Sequence, residues 1–96
     1  MQLNFEWDPV KAASNLRKHK VSFTEAIEVF RDPLSLTIFD DENSENEERW
    51  VTLGQVGGRR LVVVVHTWLE QESNHFRVRV ISARLANTLE IKQYEG

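Results

Sequence analysis

The sequence contains no cysteine, and this absence excludes two kinds of site. Neither a disulfide framework nor a thiolate-bound metal centre can form without thiol groups. A cysteine-free chain suits a reducing compartment, and we expect a cytoplasmic protein. The longest apolar run, Leu61–Val65, is far too short to span a bilayer, so we expect no membrane partner. The N-terminal segment contains Glu6, Asp8 and Pro9 instead of an apolar core, which predicts no signal peptide.

The acidic residues are concentrated in one segment. The chain has 96 residues, which predicts a single domain over residues 1–96 with one modest core. Its formal net charge is −3, but Asp40–Glu48 alone carries six acidic residues and no cation. The remaining residues therefore carry a net charge of +3. This distribution permits an RNA-binding surface on the rest of the chain.

The acidic segment does not match a known metal-binding pattern. A calcium-binding EF-hand loop requires glycine at its sixth position and glutamate at its twelfth. If the loop began at Asp41, these positions would be Asn46 and Thr52. We therefore predict no metal site, and no motif in the chain indicates a cofactor.

Two helices are predicted from their N-terminal signals. Asp8 is a favourable N-cap and Pro9 suits the first helical position, which predicts a helix over Val10–His19. Ser22 followed by Glu25 is a capping box and predicts a second helix. The apolar face of that second helix is predicted to contain Phe23, Ala26, Ile27 and Phe30.

The remaining elements predict an α+β fold. Strands are predicted over Leu3–Trp7, Leu34–Phe39, Arg49–Val56, Arg59–Trp68 and Phe76–Ala83. Leu69–His75 is predicted to be a polar turn, Gly57-Gly58 a two-residue hairpin turn and Leu85–Tyr94 a final helix. The order β-α-α-β-β-β-β-α, with short turns between strands, predicts an antiparallel β-sheet with helices packed on one side.

The last predicted strand is the most informative segment for function. Alternation over Phe76–Ala83 places its valines on one face and Arg77 and Arg79 on the other. Arg84 follows where the strand ends. Planar guanidinium groups on a rigid support suit phosphate recognition. Alternatively, these arginines only solvate the surface, and Arg84 forms a salt bridge with an acidic residue such as Glu48.

An ordered series of short motifs extends over nearly the whole chain. It comprises Phe5-Glu6-Trp7-Asp8-Pro9 with Lys11, Asn15 with Lys18-His19, Val21-Ser22-Phe23, Ala26, Phe30, Asp32-Pro33, Glu47-Glu48-Arg49, Leu53-Gly54, Gly58-Arg59 with Leu61-Val62-Val63, Arg79-Val80-Ile81-Ser82-Ala83-Arg84, Glu90 and Tyr94-Glu95. The series resembles the BrnT family, the toxin components of a type II toxin–antitoxin system. The resemblance implies a RelE-like ribonuclease fold and RNA cleavage that halts translation. It also implies a BrnA-like antitoxin, which neutralises the toxin and binds their operator DNA.

Two positions depart from the pattern of this family. Lys20 stands where the family often has glycine, at a helix end that favours the left-handed conformation. Asn43-Ser44 stands where the family often has a histidine–serine pair. These departures keep an alternative open, namely a non-catalytic protein-interaction module that retains the fold and the partner but does not cleave RNA.

RNA cleavage without a metal requires a base, cations around the phosphate and an acid. The RNA supplies its own nucleophile, the 2′-hydroxyl group. The candidate catalytic residues are Lys18, His19, Glu48, Arg49, Arg79 and Arg84, and the candidate RNA-binding residues are Arg77, Ser82 and Tyr94.

Structural roles are the alternatives for several of these residues. His19 could serve only to cap helix carbonyls, and Ser82 could cap the final helix. Tyr94 could anchor that helix through its ring. Glu48 and Arg49 could form a surface ion pair.

Overall fold

The computed structural model describes residues 1–96 and contains six strands and three α-helices. The strands are β1 (Gln2–Glu6), β2 (Leu36–Phe39), β3 (Trp50–Gln55), β4 (Leu61–His66), β5 (Leu69–Glu72) and β6 (His75–Leu85). The helices are α1 (Pro9–His19), α2 (Phe23–Ala26) and α3 (Thr88–Glu95), and a 3-10 helix over Ile27–Arg31 continues α2. None of these helices combines the length and the apolar character needed to cross a lipid bilayer.

All six strands belong to one mixed sheet, in which β6 pairs with three other strands. The order across the sheet is β1-β6-β4-β3-β2, and β5 pairs with the first part of β6. β1 lies parallel to β6, whereas every other strand pair is antiparallel. The predicted α+β class is confirmed, but the prediction of a wholly antiparallel sheet is wrong for β1. Both N-terminal helices follow β1, so no tight hairpin dictates its direction.

The predicted polar turn over Leu69–His75 is wrong, because most of this segment is strand β5. β5 and β6 form a hairpin whose turn contains Asn74 at a φ of 67°. All four residues of β5 are exposed. A strand with no buried face shows no alternation of apolar and polar residues, which explains why the pattern did not reveal it.

Both ends of α1 have the predicted capping residues. The Asp8 side chain accepts a hydrogen bond of 2.8 Å from the N–H of Val10, and Pro9 is the first helical residue. Lys20 ends the helix with a φ of 59°, and its N–H donates to the carbonyl of Leu16 at 3.0 Å. Lys20 thus adopts the left-handed conformation that the family resemblance implied, although a side chain there costs about 1–2 kcal/mol.

The helices pack on both faces of the sheet. The main core lies beneath α1, α2 and the 3-10 helix, and its members are Val21, Phe23, Ala26, Val29, Val56, Val62, Val64, Val80 and Ala83. Leu53 and Val63 are buried on the opposite face, where α3 contacts β3 and its Glu90 pairs with Arg84. The prediction that all helices pack on one side is therefore wrong for α3. The few apolar residues of α3 do not specify a face, since Leu89 is exposed.

A β-bulge in β6 changes which side chains share a face. His66 of β4 is opposite Val80, but the preceding Val65 is opposite Ser82, so Ile81 is an extra residue in β6. The bulge reverses the alternation beyond this point. Ser82 and Arg84 therefore lie on the same face as Arg79, whereas strict alternation would turn them toward the core.

The carboxamide of Asn15 takes the place of a strand at the edge of β6. β1 pairs only with residues His75 to Arg79 of β6. Beyond Arg79, the same edge of β6 faces α1. Asn15 Nδ2 donates to the carbonyl of Ala83 at 2.8 Å, and Asn15 Oδ1 accepts from the N–H of Ala83 at 3.0 Å. Nδ2 also donates to the carbonyl of Val21 at 3.0 Å. This buried amide satisfies three backbone groups and ties α1 to the sheet.

Replacement of Asn15 by alanine should strongly destabilise the chain. Asn15→Ala leaves buried backbone groups of Ala83 and Val21 without partners, and we expect the free energy of unfolding to fall by roughly 3 kcal/mol. Urea denaturation followed by circular dichroism measures this change. The neighbouring substitution Ser14→Ala is the control and should change stability by less than about 0.5 kcal/mol. Equal stability of the two variants would show that the Asn15 amide is dispensable.

His66 is completely buried within a chain of polar contacts. Its Nε2 lies 2.7 Å from Thr52 Oγ1, and its Nδ1 lies 2.9 Å from the carbonyl oxygen of Thr67. Thr52 Oγ1 in turn lies 2.8 Å from Thr37 Oγ1. A neutral imidazole satisfies these contacts if Nδ1–H donates to Thr67 and Nε2 accepts from the Thr52 hydroxyl. Burial lowers the pKa of His66, although the hydrogen bond to Thr67 acts in the opposite direction.

The buried His66 should make folding stability depend on pH in mildly acidic solution. Because its pKa is lower in the folded chain than in the unfolded chain, the unfolded chain binds the proton more readily. Stability should therefore decrease as the pH falls below about 6.5, the ordinary pKa of histidine. Denaturation of the native chain and of His66→Gln between neutral pH and pH ~5 tests this, and the variant should show a flatter profile. His75→Gln, which changes an exposed histidine, should keep the native profile.

Candidate functional site

An open cleft lies where β1, β6 and the β4–β5 connection meet the end of the acidic segment. Its volume is about 390 Å³. The lining residues are Glu6, Glu47, Glu48, Thr67, Trp68, Leu69, Arg77 and Arg79. The cleft therefore combines two guanidinium groups with three carboxylates. The predicted arginine face exists, but its surroundings have mixed charge.

Arg79 is held in the cleft by its backbone and by its guanidinium group. Its N–H donates to Thr67 Oγ1 at 2.9 Å, and its carbonyl accepts from the N–H of Thr67 at 3.0 Å. Its Nη2 forms a short ion pair with Glu47 Oε1. The Arg79 side chain remains 43% exposed, so this ion pair is open to solvent.

Glu47 connects Arg79 to Arg49. The same oxygen, Glu47 Oε1, lies 3.7 Å from Arg49 Nη2. Glu48 is exposed and lines the cleft beside them. Arg77 lies 3.8 Å from Glu6 Oε1 across the β1–β6 pair. The structure thus brings together four of the predicted residues, namely Glu48, Arg49, Arg77 and Arg79.

Arg84 and Ser82 lie on the same sheet face but farther along β6. Arg84 Nη1 and Nη2 each donate to a different carboxylate oxygen of Glu90 at 2.8 Å. The hydrogen bonds to Glu90 raise the pKa of Arg84, and the hydrogen bonds from Arg84 lower the pKa of Glu90. Glu90 Oε1 also accepts from the N–H of Asn87 and so completes the N-terminal cap of α3. Arg84 therefore positions α3.

Lys18 and His19 are exposed at the C-terminal end of α1. They lie within about one helical turn of Asn15, whose amide binds Ala83. The end of α1 is therefore near the second half of β6, where Asn15 contacts Ala83, and Lys18 and His19 do not line the cleft. About 13–16 Å of extended strand separates Arg79 from Arg84.

Tyr94 is tied to the 3-10 helix region and not to the cleft. Its hydroxyl donates to Asp32 Oδ2 at 2.5 Å. This hydrogen bond raises the pKa of Tyr94. Burial acts to raise the pKa of Asp32, but hydrogen bonds from Tyr94 and from the N–H groups of Gln55 and Leu34 outweigh it and lower that pKa. This contact ties α3 to Asp32 through the Tyr94 hydroxyl, whereas the sequence-based alternative assigned the anchoring to the ring.

Sequence reasoning did not single out Glu47 as an ion-pair partner. It lies beside Glu48 in a segment where acidic residues are frequent, so spacing alone does not show which carboxylate reaches Arg79. Glu6 and Thr67 were also missed, since they enter the cleft through the pairing of β1 with β6 and through the turn after β4. The available signals were two motifs of the family resemblance, Glu47-Glu48-Arg49 and Phe5-Glu6-Trp7-Asp8-Pro9.

The fold is shared with a solved toxin structure. The chain is similar to the ribonuclease toxin BrnT from Brucella abortus, known from a 1.1 Å crystal structure. The TM-score is 0.63 and the sequence identity 21%, and the match covers 92% of this chain and 100% of the Brucella chain. The TM-score and the coverage establish a common fold. A comparison with curated proteins gives no match.

The sequence itself also matches a family model. That model represents the ribonuclease toxin BrnT of type II toxin–antitoxin systems, and it matches residues 7–90. The matched region includes the cleft residues Glu47, Glu48, Arg77 and Arg79. The chain therefore belongs to the BrnT family of ribonuclease toxins.

Proposed function

We propose that this chain is an endoribonuclease that cleaves RNA without a metal ion and thereby inhibits translation. We further propose that a BrnA-like antitoxin neutralises it and carries the operator-DNA binding. The observation that supports the activity best is the cleft in which the guanidinium groups of Arg77 and Arg79 lie beside the carboxylates of Glu47 and Glu48. Membership in a family of ribonuclease toxins supports the interpretation of this cleft as an RNA-cleaving site.

The residues of the cleft supply a base and cations, two of the three requirements of RNA transesterification. The 2′-oxygen attacks the adjacent phosphorus, and the bond to the 5′-oxygen breaks. The products carry a 2′,3′-cyclic phosphate and a 5′-hydroxyl group. A carboxylate can accept the 2′-hydroxyl proton, and guanidinium groups can stabilise the charge that develops on the phosphate.

We assign the phosphate contacts to Arg79 and Arg77 and the base to Glu48. Glu48 is exposed, lines the cleft and takes part in none of the ion pairs of the chain. Glu47 is less suited to this role because its carboxylate neutralises Arg79. No histidine lines the cleft, so we assign the proton for the leaving 5′-oxygen to solvent.

Phosphate binding requires Arg79 to exchange one anion for another. An ion pair at a partly exposed position contributes only about 0–1 kcal/mol, because water screens both charges. A phosphate group can therefore displace Glu47 at little cost. Arg49, the second neighbour of Glu47, provides an alternative cation for the displaced carboxylate.

We propose that a bound RNA strand continues from the cleft along β6. The bulge at Ile81 keeps Ser82 and Arg84 on the face of Arg79. In this arrangement Ser82 and Arg84 contact nucleotides flanking the cleaved bond, while Arg84 also retains its pairing with Glu90. Lys18 and His19 are exposed at the end of α1, which covers the other face of the sheet, so they contact RNA only where it passes the edge of β6.

Replacement of Arg79 should remove most of the ribonuclease activity. Without its guanidinium group the transition-state charge loses a donor, and we expect Arg79→Ala to cleave RNA about 100-fold more slowly. Purified protein is incubated with total RNA in the presence of a chelator, and the RNA ends are identified. Arg31→Ala changes an exposed arginine outside the cleft and should retain activity. Activity of a folded Arg79→Ala variant equal to that of the native chain would contradict this assignment.

The proposed base is tested by a second pair of variants. Glu48→Gln preserves the size of the side chain but cannot accept a proton as a carboxylate does, so we expect cleavage to slow by about 100-fold or more. Glu45→Gln, in the same acidic segment but outside the cleft, should cleave RNA at the native rate. Growth arrest after induced expression should follow the same order. If the native chain cleaves no RNA and arrests no growth, the proposed activity is wrong.

A further inference from the structure

β2 forms one edge of the sheet and leaves a row of backbone groups facing outward. It pairs only with β3. The N–H of Asp40 donates to Arg49 on the β3 side at 2.9 Å. Because the direction of N–H groups alternates along a strand, those of Thr37 and Phe39 point away from β3. Such an edge can accept an added strand from another protein.

The side chains of β2 do not protect this edge. Leu36, Ile38 and Phe39 are 43%, 65% and 40% exposed, and β2 contains no charged residue. The other outer strands end with carboxylates, since β1 ends at Glu6 and β5 at Glu72. Exposed edges usually carry a charge or a proline that prevents strand addition. The exposed apolar side chains of β2 favour strand addition.

The charge next to β2 indicates the kind of strand that fits. The acidic segment Asp40–Glu48 follows β2 directly, and Asp41, Glu42 and Glu45 are exposed. An antiparallel strand added to β2 begins beside the C-terminal end of β2. Residues preceding such a strand therefore face the acidic segment, and lysine or arginine there is favoured.

A second copy of this chain is a poor occupant. Antiparallel pairing of two β2 strands would place each acidic segment beside Asp32–Phe39 of the other copy, a stretch that contains no cation. Each copy also carries a net charge of −3. Charge thus favours a basic partner over self-association.

We propose that the β2 edge is the docking site for an extended segment of the antitoxin, with apolar residues at alternate positions and basic residues before the strand. This inference rests on the antitoxin partnership proposed above and assigns it a surface. The segment adds a seventh strand to the six-stranded sheet. Its apolar side chains extend the exposed row formed by Leu36 and Ile38, and its cations face the acidic segment.

The test uses the full chain and two synthetic peptides. In one peptide, lysines precede alternating threonine and valine residues, and in the other, glutamates replace the lysines. We expect the lysine peptide to bind at least about tenfold more tightly, and to slow hydrogen exchange at the N–H groups of Thr37 and Phe39. Equal binding of the two peptides, or protection elsewhere in the chain, would overturn the proposal.

Substitutions then locate the surface. Ile38→Lys introduces a cation at the exposed edge and should weaken binding of the lysine peptide about tenfold. Val10→Lys is the matched control, since Val10 is 76% exposed at the start of α1 and away from β2. A dimer of the native chain in ultracentrifugation that Ile38→Lys dissociates would assign the edge to self-association and refute the proposal. RNA cleavage by the same samples tests the proposed activity separately, because peptide binding does not depend on it.

Discussion

Strand β6 must bury valines on one face and present polar side chains on the other along its entire length, and the bulge at Ile81 makes this possible. Before the bulge, Val78 and Val80 are buried, and after it Ala83 is buried. A regular strand would place residues 80 and 83 on opposite faces. One inserted residue therefore maintains a continuous core face and a continuous face for Arg79 and Arg84. The attachment of α3 through Arg84, and the position of Arg84 on the face of Arg79, depend on this change of alternation.

The acidic segment has a role that net charge alone does not suggest. Its Glu47 neutralises Arg79, so the free chain has no uncompensated guanidinium group at this point of the cleft. Arg84 is likewise compensated by Glu90, but through two hydrogen bonds and a capping network. A network of this kind is harder to exchange than a single exposed ion pair. The two arginines therefore differ in their environment, since Arg79 has one solvent-exposed ion pair and Arg84 is held by the network that caps α3.

Local signals in the sequence predicted local structure well. Asp8 caps α1, and the Ser22 hydroxyl accepts from the N–H of Glu25. A hairpin joins β3 to β4, but its turn is longer than the predicted two residues, because Val56–Arg60 separates the paired strands and includes a 3-10 helix over Gly57–Arg59. Each of these features depends on residues within a few positions of each other. The predicted final helix begins too early, because β6 continues through Leu85 and the capping box is Asn87 with Glu90. An apolar residue at the end of a strand has no local feature that distinguishes it from the first residue of a helix.

Long-range features were less accessible from the sequence. The direction of β1, the face that receives α3 and the contact of Glu47 with Arg79 are all determined by residues far apart in the chain. Strand alternation placed Arg77 and Arg79 correctly on the face opposite Val80. Alternation alone could not assign Ser82 or Arg84 to a face of the sheet, because the position of the bulge depends on how β6 pairs with β4. The grouping of Glu48, Arg49 and Arg79 was accessible only through the family resemblance.

The edge of β2 and the arginine cleft are physically linked through the acidic segment. Asp40 follows the last residue of β2, and Glu47 near the other end of the segment binds Arg79. Within the segment, Ser44 Oγ donates to the carbonyl of Asp40 and accepts from the N–H of Arg49, which closes the loop on itself. If RNA binds Arg79 as proposed, a protein that binds the segment in this closed form would hold Glu47 on Arg79 and compete with phosphate. By thermodynamic reciprocity, RNA that displaces Glu47 would weaken the binding of that protein to the same degree.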